Sequence, residues 1–145
     1  MEYLTDLSMD QLLYRMAHTP RDTIVLPISY TRDSSGNTHY STRDVVRSLS
    51  LVCPAPMYVA ADTTIGSGTR GGYVVDFDKT GSVIAEIAIQ TLKGNPAAQL
   101  SVPADATASY IFDWRQRQKW GISERNLPRG SVVRFKTISA WERYR

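Results

Sequence analysis

Side chains able to make or break bonds are few in this chain, and most sit where packing or turn geometry explains them. The one cysteine, Cys53, follows the apolar stretch Leu49 to Val52 and precedes Pro54. A thiol in that setting reads as a small buried hydrophobe. His18 ends a helical pattern, where an imidazole meets the negative end of the helix dipole; His39 lies in a polar loop. One cysteine and two histidines cannot supply a cysteine-based zinc set and leave little for a histidine-based one. No G-x-S-x-G elbow presents a serine. The expectation is no catalytic residue, no metal site and no cofactor.

Gly66-Ser67-Gly68-Thr69-Arg70-Gly71 spells G-x-G-x-x-G. Phosphate binding by that pattern needs a helix N-terminus directly behind the glycines. Here the chain enters Tyr73-Val74-Val75, a strand pattern, so a loop with a bulge is expected. No P-loop sequence is present. Asp76 and Asp78 open a helix and suit its dipole. Asp33 with Ser35 and Asn37 resembles a cation loop but lacks the further carboxylates, and Asp62 alone does not make a phospho-acceptor cluster. Phe112, Trp114, Trp120, Trp141 and Tyr144 interleave with Arg115, Arg117, Lys119 and Arg143. Such mixtures bind single-stranded nucleic acid. Trp114 and Trp120 are six apart on a short amphipathic helix, however, which favours core anchoring and no nucleic-acid partner.

The elements that must carry these residues follow from an ordinary globular composition: 145 residues, 42% hydrophobic and 21% charged, the size of one domain. No apolar run approaches the ~20 residues that span a bilayer. Glu2, Asp6, Asp10 and Arg15 interrupt the first twenty positions, so no signal peptide is visible. The net charge of +3 is uneven: residues 1–112 hold 8 basic and 11 acidic groups, residues 113–145 hold 9 and 3. A basic end can meet nucleic acid or anionic headgroups, and a solvated surface explains it equally well.

Ser8 and Gln11 have capping-box spacing, and Leu7 with Leu12 forms a hydrophobic staple, so a helix is expected over 7–19. The apolar run Ile24-Val25-Leu26-Pro27-Ile28 predicts a strand within 22–30 covered on both faces, with Pro27 forcing a bulge or an early end. A second helix is expected over 41–52, capped by Ser41 with Asp44 at the capping-box position, burying Val45, Val46, Leu49 and Val52. Met57 to Ala61 and Tyr73 to Val75 read as short strands. A third helix runs from about Asp76 to Lys93, with Ile84, Ile87, Ala88, Thr91 and Leu92 as its buried face and Gly94 as its stop. Leu100 to Val102 is expected to be extended. Ser109 to Phe112 is a strand, Asp113 caps a short helix to about Trp120, Ser131 to Phe135 is a last strand, and Ser139 to Arg145 looks helical. Alternating helices and strands imply a mostly parallel sheet with helices on both faces. Ligands then sit outside the carboxyl ends of the strands: Tyr30 to Asp33, Asp62 to Ile65, and the Asp113 region.

Several stretches carry a family resemblance: Gly71 to Phe77, Leu92 to Pro96, Ile111 to Gln116, Trp120 to Glu124, Leu127 to Phe135 and Trp141 to Arg145. Together they resemble the extracytoplasmic sensing region of bacterial sensor histidine kinases, which is similar to the substrate-binding proteins of ABC transporters. The resemblance implies a three-layer α/β/α lobe of a type I periplasmic-binding-protein-like fold. Residues 1–138 would form a single sensing lobe, and 139–145 a helical linker toward a membrane span of the parent protein. It further implies a periplasmic location, a missing N-terminal lobe of the same chain, an unidentified small-molecule ligand in the interlobe cleft, and a homodimer as a further partner. No kinase machinery is present, so the fragment itself is not expected to be an enzyme. By the same resemblance the cleft is lined by Tyr30, Thr31, Arg32, Asp33, Asp62, Thr63, Ile65, Gly71, Gly72 and Tyr73. The alternatives are a dimerisation or docking domain without its own ligand, marked by a large apolar patch, and a small α/β nucleotide-binding protein with a phosphate at Gly66 to Gly72.

Overall fold

In the computed structural model, which describes residues 1–36, 40–96, 102–103 and 105–137, the chain first turns helical after Ser8. The Gln11 backbone N–H donates to the Ser8 hydroxyl and the Ser8 N–H donates to the Gln11 side chain at 2.9 Å, so the expected capping box is complete. Helix α1 spans Met9–Ala17 and buries Leu12 and Met16. Helix α2 spans Thr42–Val52 and buries Val45, Val46 and Leu49, whereas Val52 stays exposed. Ser41 makes no side-chain cap bond; the first turn of α2 is held by longer-range bonds of Thr42 and Arg43 instead. The two helices close a first core together with Cys53, Ala55 and Met57.

The second core, Val59, Ile65, Val74 and Ile111, lies against a three-stranded sheet in the order β1-β2-β3. Strand β1 is Gly71–Val75, β2 is Ala108–Asp113 and β3 is Val132–Arg134. Gly71 faces Phe112 across the first pair. At its φ of +108° a side chain would be strained, and a Cβ there would run into the Ile111 carbonyl oxygen, which is why this position is glycine.

The class is α/β, but the sheet is mixed rather than mostly parallel: β1 and β2 are antiparallel, and only β2 and β3 are parallel. The physical reason lies at the foot of helix α3, Phe77–Leu92. The Asp76 N–H donates to the Thr107 carbonyl at 2.8 Å and the Lys79 ammonium to the Ala108 carbonyl at 3.2 Å. The chain therefore re-enters the sheet at the end from which it left, and a return to the same end makes an antiparallel neighbour. The β2–β3 connection runs through helix α4, Trp114–Lys119, and a 3₁₀ turn, Glu124–Asn126.

Two expected strands do not form. Residues 22–30 contribute a single parallel bridge, Val25 to Met57. Ile24, Leu26 and Ile28 are more than half exposed, so this stretch is covered on one side only. Pro27 has no N–H with which to continue a ladder. Residues 57–61 run extended beside β1, bridged only at Met57 and at Ala61, which pairs with Val75; the Val59 N–H reaches the Gly71 carbonyl at 3.3 Å.

The larger correction concerns α3. Asp76 caps it as expected, accepting from the Lys79 N–H at 3.2 Å. Its expected buried face is not buried: none of its sixteen residues is, and Ile84 and Leu92 are 60% and 87% exposed. The helix is tied to the body at its first turn, through Asp76 and Lys79. In α4, likewise, no residue is fully buried; Trp114 and the capping Trp120 are half-buried, and neither belongs to the two buried cores. His39, the stretch Leu100 to Ser101 and the expected helix Ser139 to Arg145 lie outside the described residues.

Candidate functional site

The ten residues expected to line a cleft fall into three groups. Tyr30 and Asp33 belong to a latch at the N-terminal side. The Tyr30 hydroxyl donates to the Leu7 carbonyl at 3.0 Å, the Tyr40 hydroxyl donates to Asp33 at 3.2 Å, and the two tyrosine rings meet edge-on at 5.6 Å. Asp33, itself buried, also accepts from the Ser35 N–H and hydroxyl. Burial first, then the Asp33 carboxylate and Tyr40, push the Tyr30 phenol above its ordinary value. Thr31 and Arg32 are exposed beside it.

Asp62, Thr63 and Ile65 form the second group. Asp62 accepts two hydrogen bonds of 3.2 Å from Arg134, and Arg43 donates to the Thr63 carbonyl at 2.6 and 3.0 Å. Ile65 is 2% exposed in the second core. The start of α2 joins these two groups, because Thr42 accepts from the Tyr30 N–H at 3.4 Å while its neighbour Arg43 holds Thr63. Gly71, Gly72 and Tyr73 form the third group, on β1, where Tyr73 stacks on Tyr110 at 4.7 Å.

The glycine loop is filled by the protein itself. A Cβ added at Gly66 would meet the Phe135 ring, and one at Gly68 would meet Ser50. The loop also opens into β1 and not into a helix, so the geometry that cradles phosphate is missing. Cys53 is buried, its thiol directed at the Ala55 carbonyl at 3.5 Å, and burial pushes that thiol up. The His18 ring meets the Tyr14 carbonyl at 2.7 Å and stacks on the Tyr14 ring, as a helix-end group does.

A cavity of about 170 Å³ opens elsewhere, and none of the ten residues lines it. Its apolar wall is Phe112, Ile122, Leu127 and Pro128, and its polar groups are Tyr58, Arg70, Arg117 and Asn126. Arg70 comes from the turn before β1, where its N–H is fixed by the Met57 carbonyl at 2.8 Å. Its guanidinium lies 4.4 Å from the Trp120 ring centroid and 5.5 Å from that of Tyr58, and Nη1 donates to the Tyr58 hydroxyl at 2.9 Å. Arg117 projects from α4. It donates to the Ile122 carbonyl at 3.1 Å and pairs with Glu124 at 3.1 Å, which Lys136 shares at 3.4 Å.

Two features set this cavity apart. The Nε atoms of Arg70 and Arg117 are both buried, with no hydrogen-bond partner among the described residues. Arg117 has a carboxylate to balance its charge; Arg70 has none among the described residues. A wider, open depression of about 430 Å³ lies along α1 beside Leu7, Tyr14 and Arg15, but the charge of Arg15 is already met by Glu2.

Sequence reasoning misses Arg70 because it sits inside a glycine pattern weighed for phosphate binding, by its letters and by the strand that follows, and not for its one charged side chain. The available signal was slight: Arg70 is the one basic residue between Arg47 and Lys79. The interleaved aromatic and basic residues were noticed, but their partners lie outside their own stretch, as Trp120 with Arg70 and Arg115 with Phe135 show. Compared with protein-family models, curated proteins and solved structures, the chain matches none.

Proposed function

We propose that this chain is a non-enzymatic ligand-binding module whose small-molecule ligand occupies the cavity between Tyr58, Arg70 and Arg117. The observation that carries this is the Arg70 guanidinium: stacked, partly enclosed, and without a carboxylate of its own among the described residues. Buried charges in proteins are normally paired, and a concave apolar site with convergent polar groups is where ligands bind. The biological setting we attach to it comes from the sequence resemblance: the sensing part of a sensor histidine kinase on the periplasmic side, as one three-layer lobe of a two-lobed receptor. The unburied face of α3 supports that setting, since a missing lobe would cover it.

The reading is tested with amide NMR spectra of the protein against single-ring probes at about 10 mM, a range that detects binding of a few kcal/mol. Benzoate, benzyl alcohol and benzylamine serve as acidic, neutral and basic members. Shifts gathered on Tyr58, Arg70, Phe112 and the Trp120 indole N–H support the proposal. No shift there with any probe overturns it.

The exposed Ile84, Ile89 and Leu92 also favour a second reading, association of two copies without a ligand. Sedimentation of the chain across a wide concentration range separates the two, because a module that works by pairing must dimerise.

A further inference from the structure

We infer that the cavity selects a small carboxylate carried on a flat apolar body, with Arg70 as its charge partner; this rests on the ligand-binding reading above. Three properties of the site converge on that chemistry.

The first is charge. Arg70 and Arg117 line the cavity, and no acidic residue does among the described residues. Glu124 offsets Arg117 from outside, and Lys136 competes for the same carboxylate. Arg70 is half-buried and has no ion-pair partner among the described residues, so its charge favours an anion.

The second is geometry. The Trp120 and Tyr58 rings lie against Arg70 and the Tyr58 hydroxyl takes Nη1. The guanidinium plane is thus set before any ligand arrives, and the buried Nε remains an unused donor. A planar two-oxygen acceptor matches that fork better than a point charge does. Preorganisation of this kind reduces the ordering cost of binding.

The third is the wall. Phe112, Ile122, Leu127 and Pro128 offer apolar surface that a bare oxyanion leaves unused. A volume of about 170 Å³ falls below the ~300–1,000 Å³ of sites for drug-sized ligands. One ring or a short branched chain fits, whereas a nucleotide does not.

The experiment compares four probes on the wild-type chain: benzoate, benzyl alcohol, benzylamine and inorganic phosphate, followed by the Trp120 indole N–H and backbone amide shifts. Benzoate is expected to bind at least about tenfold more tightly than the alcohol or the amine, and to weaken as salt rises to about 0.5 M while the alcohol does not. Arg70→Gln should remove that preference, and Arg70→Lys should keep the preference for an anion at reduced affinity. Arg47→Gln, on the outer face of α2, should change nothing. Equal binding of benzoate and benzyl alcohol overturns the charge assignment while leaving a ligand-binding cavity in place. Phosphate binding as tightly as benzoate overturns the apolar half. If Arg70→Gln fails to fold, the salt dependence of the wild-type chain decides the same question.

Discussion

The guanidinium of Arg70 stacks on the Trp120 ring at 4.4 Å, although fifty residues of sequence separate them. This contact joins the turn before β1 to the end of α4, and so fixes one side of the cavity. Trp120→Leu keeps an apolar side chain but removes the π face. It should destabilise the fold by about 0.5–2 kcal/mol, the range of cation–π contacts, and release the Arg70 side chain. Urea unfolding and the Arg70 Nε–H resonance measure both effects. Unchanged values in both would show that the stack does not order the site.

Asp113 is fully buried at the junction of β2 and α4. It accepts from the Arg115 backbone N–H at 2.9 Å and from the Arg115 guanidinium at 2.7 and 3.1 Å. The hydrogen bond to Asp113 comes first among the causes that raise the Arg115 guanidinium further. Asp113→Ala removes a helix cap and the buried half of an ion pair. Because Arg115 is half exposed, water recovers part of the loss. The expected cost is about 2 kcal/mol, and Asp113→Asn, which keeps one acceptor, should cost less. Denaturant titration of the two variants against wild type tests the order.

Asp76 carries the pH dependence. Burial pulls its carboxyl upward, but the Lys79 N–H, the Ser109 side chain and the Asp78 N–H outweigh that, and its pKa lies below the ordinary value. A folded-state pKa below the unfolded one gives stability that is complete above the unfolded carboxylate range and is lost as pH falls through the folded value. Asp76→Asn should therefore cost most at neutral pH, about 1 kcal/mol for a helix cap, and its deficit should shrink in acid. Thermal melts from pH 7 down to about pH 3 would reveal the convergence; a constant gap at every pH would remove the assignment.

Burial separates α2 from α3. Leu49 is 4% exposed and Ile84 is 60% exposed. Leu49→Ala should cost about 2–4 kcal/mol, whereas Ile84→Ser should stay within about 0.5 kcal/mol in the isolated monomer. Both follow from chemical denaturation at low protein concentration. A large loss for Ile84→Ser that grows with protein concentration would mean that a second copy covers α3.

Local rules make much of this chain legible from its residues alone. Ser8 with Gln11, Asp76 before α3 and Asp113 before α4 each cap the helix expected of them, because a cap is decided by residues two or three apart. Tyr73 to Val75, Ser109 to Phe112 and Ser131 to Phe135 each lie at a strand of the sheet, and Gly71 sits where only a glycine fits.

What the sequence could not decide was which surfaces meet. The apolar pattern of α3 predicts a helix, but whether that face is covered depends on which other surface the fold brings against it, and none of its residues is buried. The direction of β2 was set by the bonds from Asp76 and Lys79 that bring the chain back to the end of β1. The cavity is non-local in the same way: Tyr58, Arg70, Arg117 and Leu127 come from four separate segments, and no spacing rule links them. Hydrogen bonds within one turn of helix are written in adjacent residues, while the charge balance around Arg70 is a sum over the folded neighbourhood and exists only once that neighbourhood has assembled.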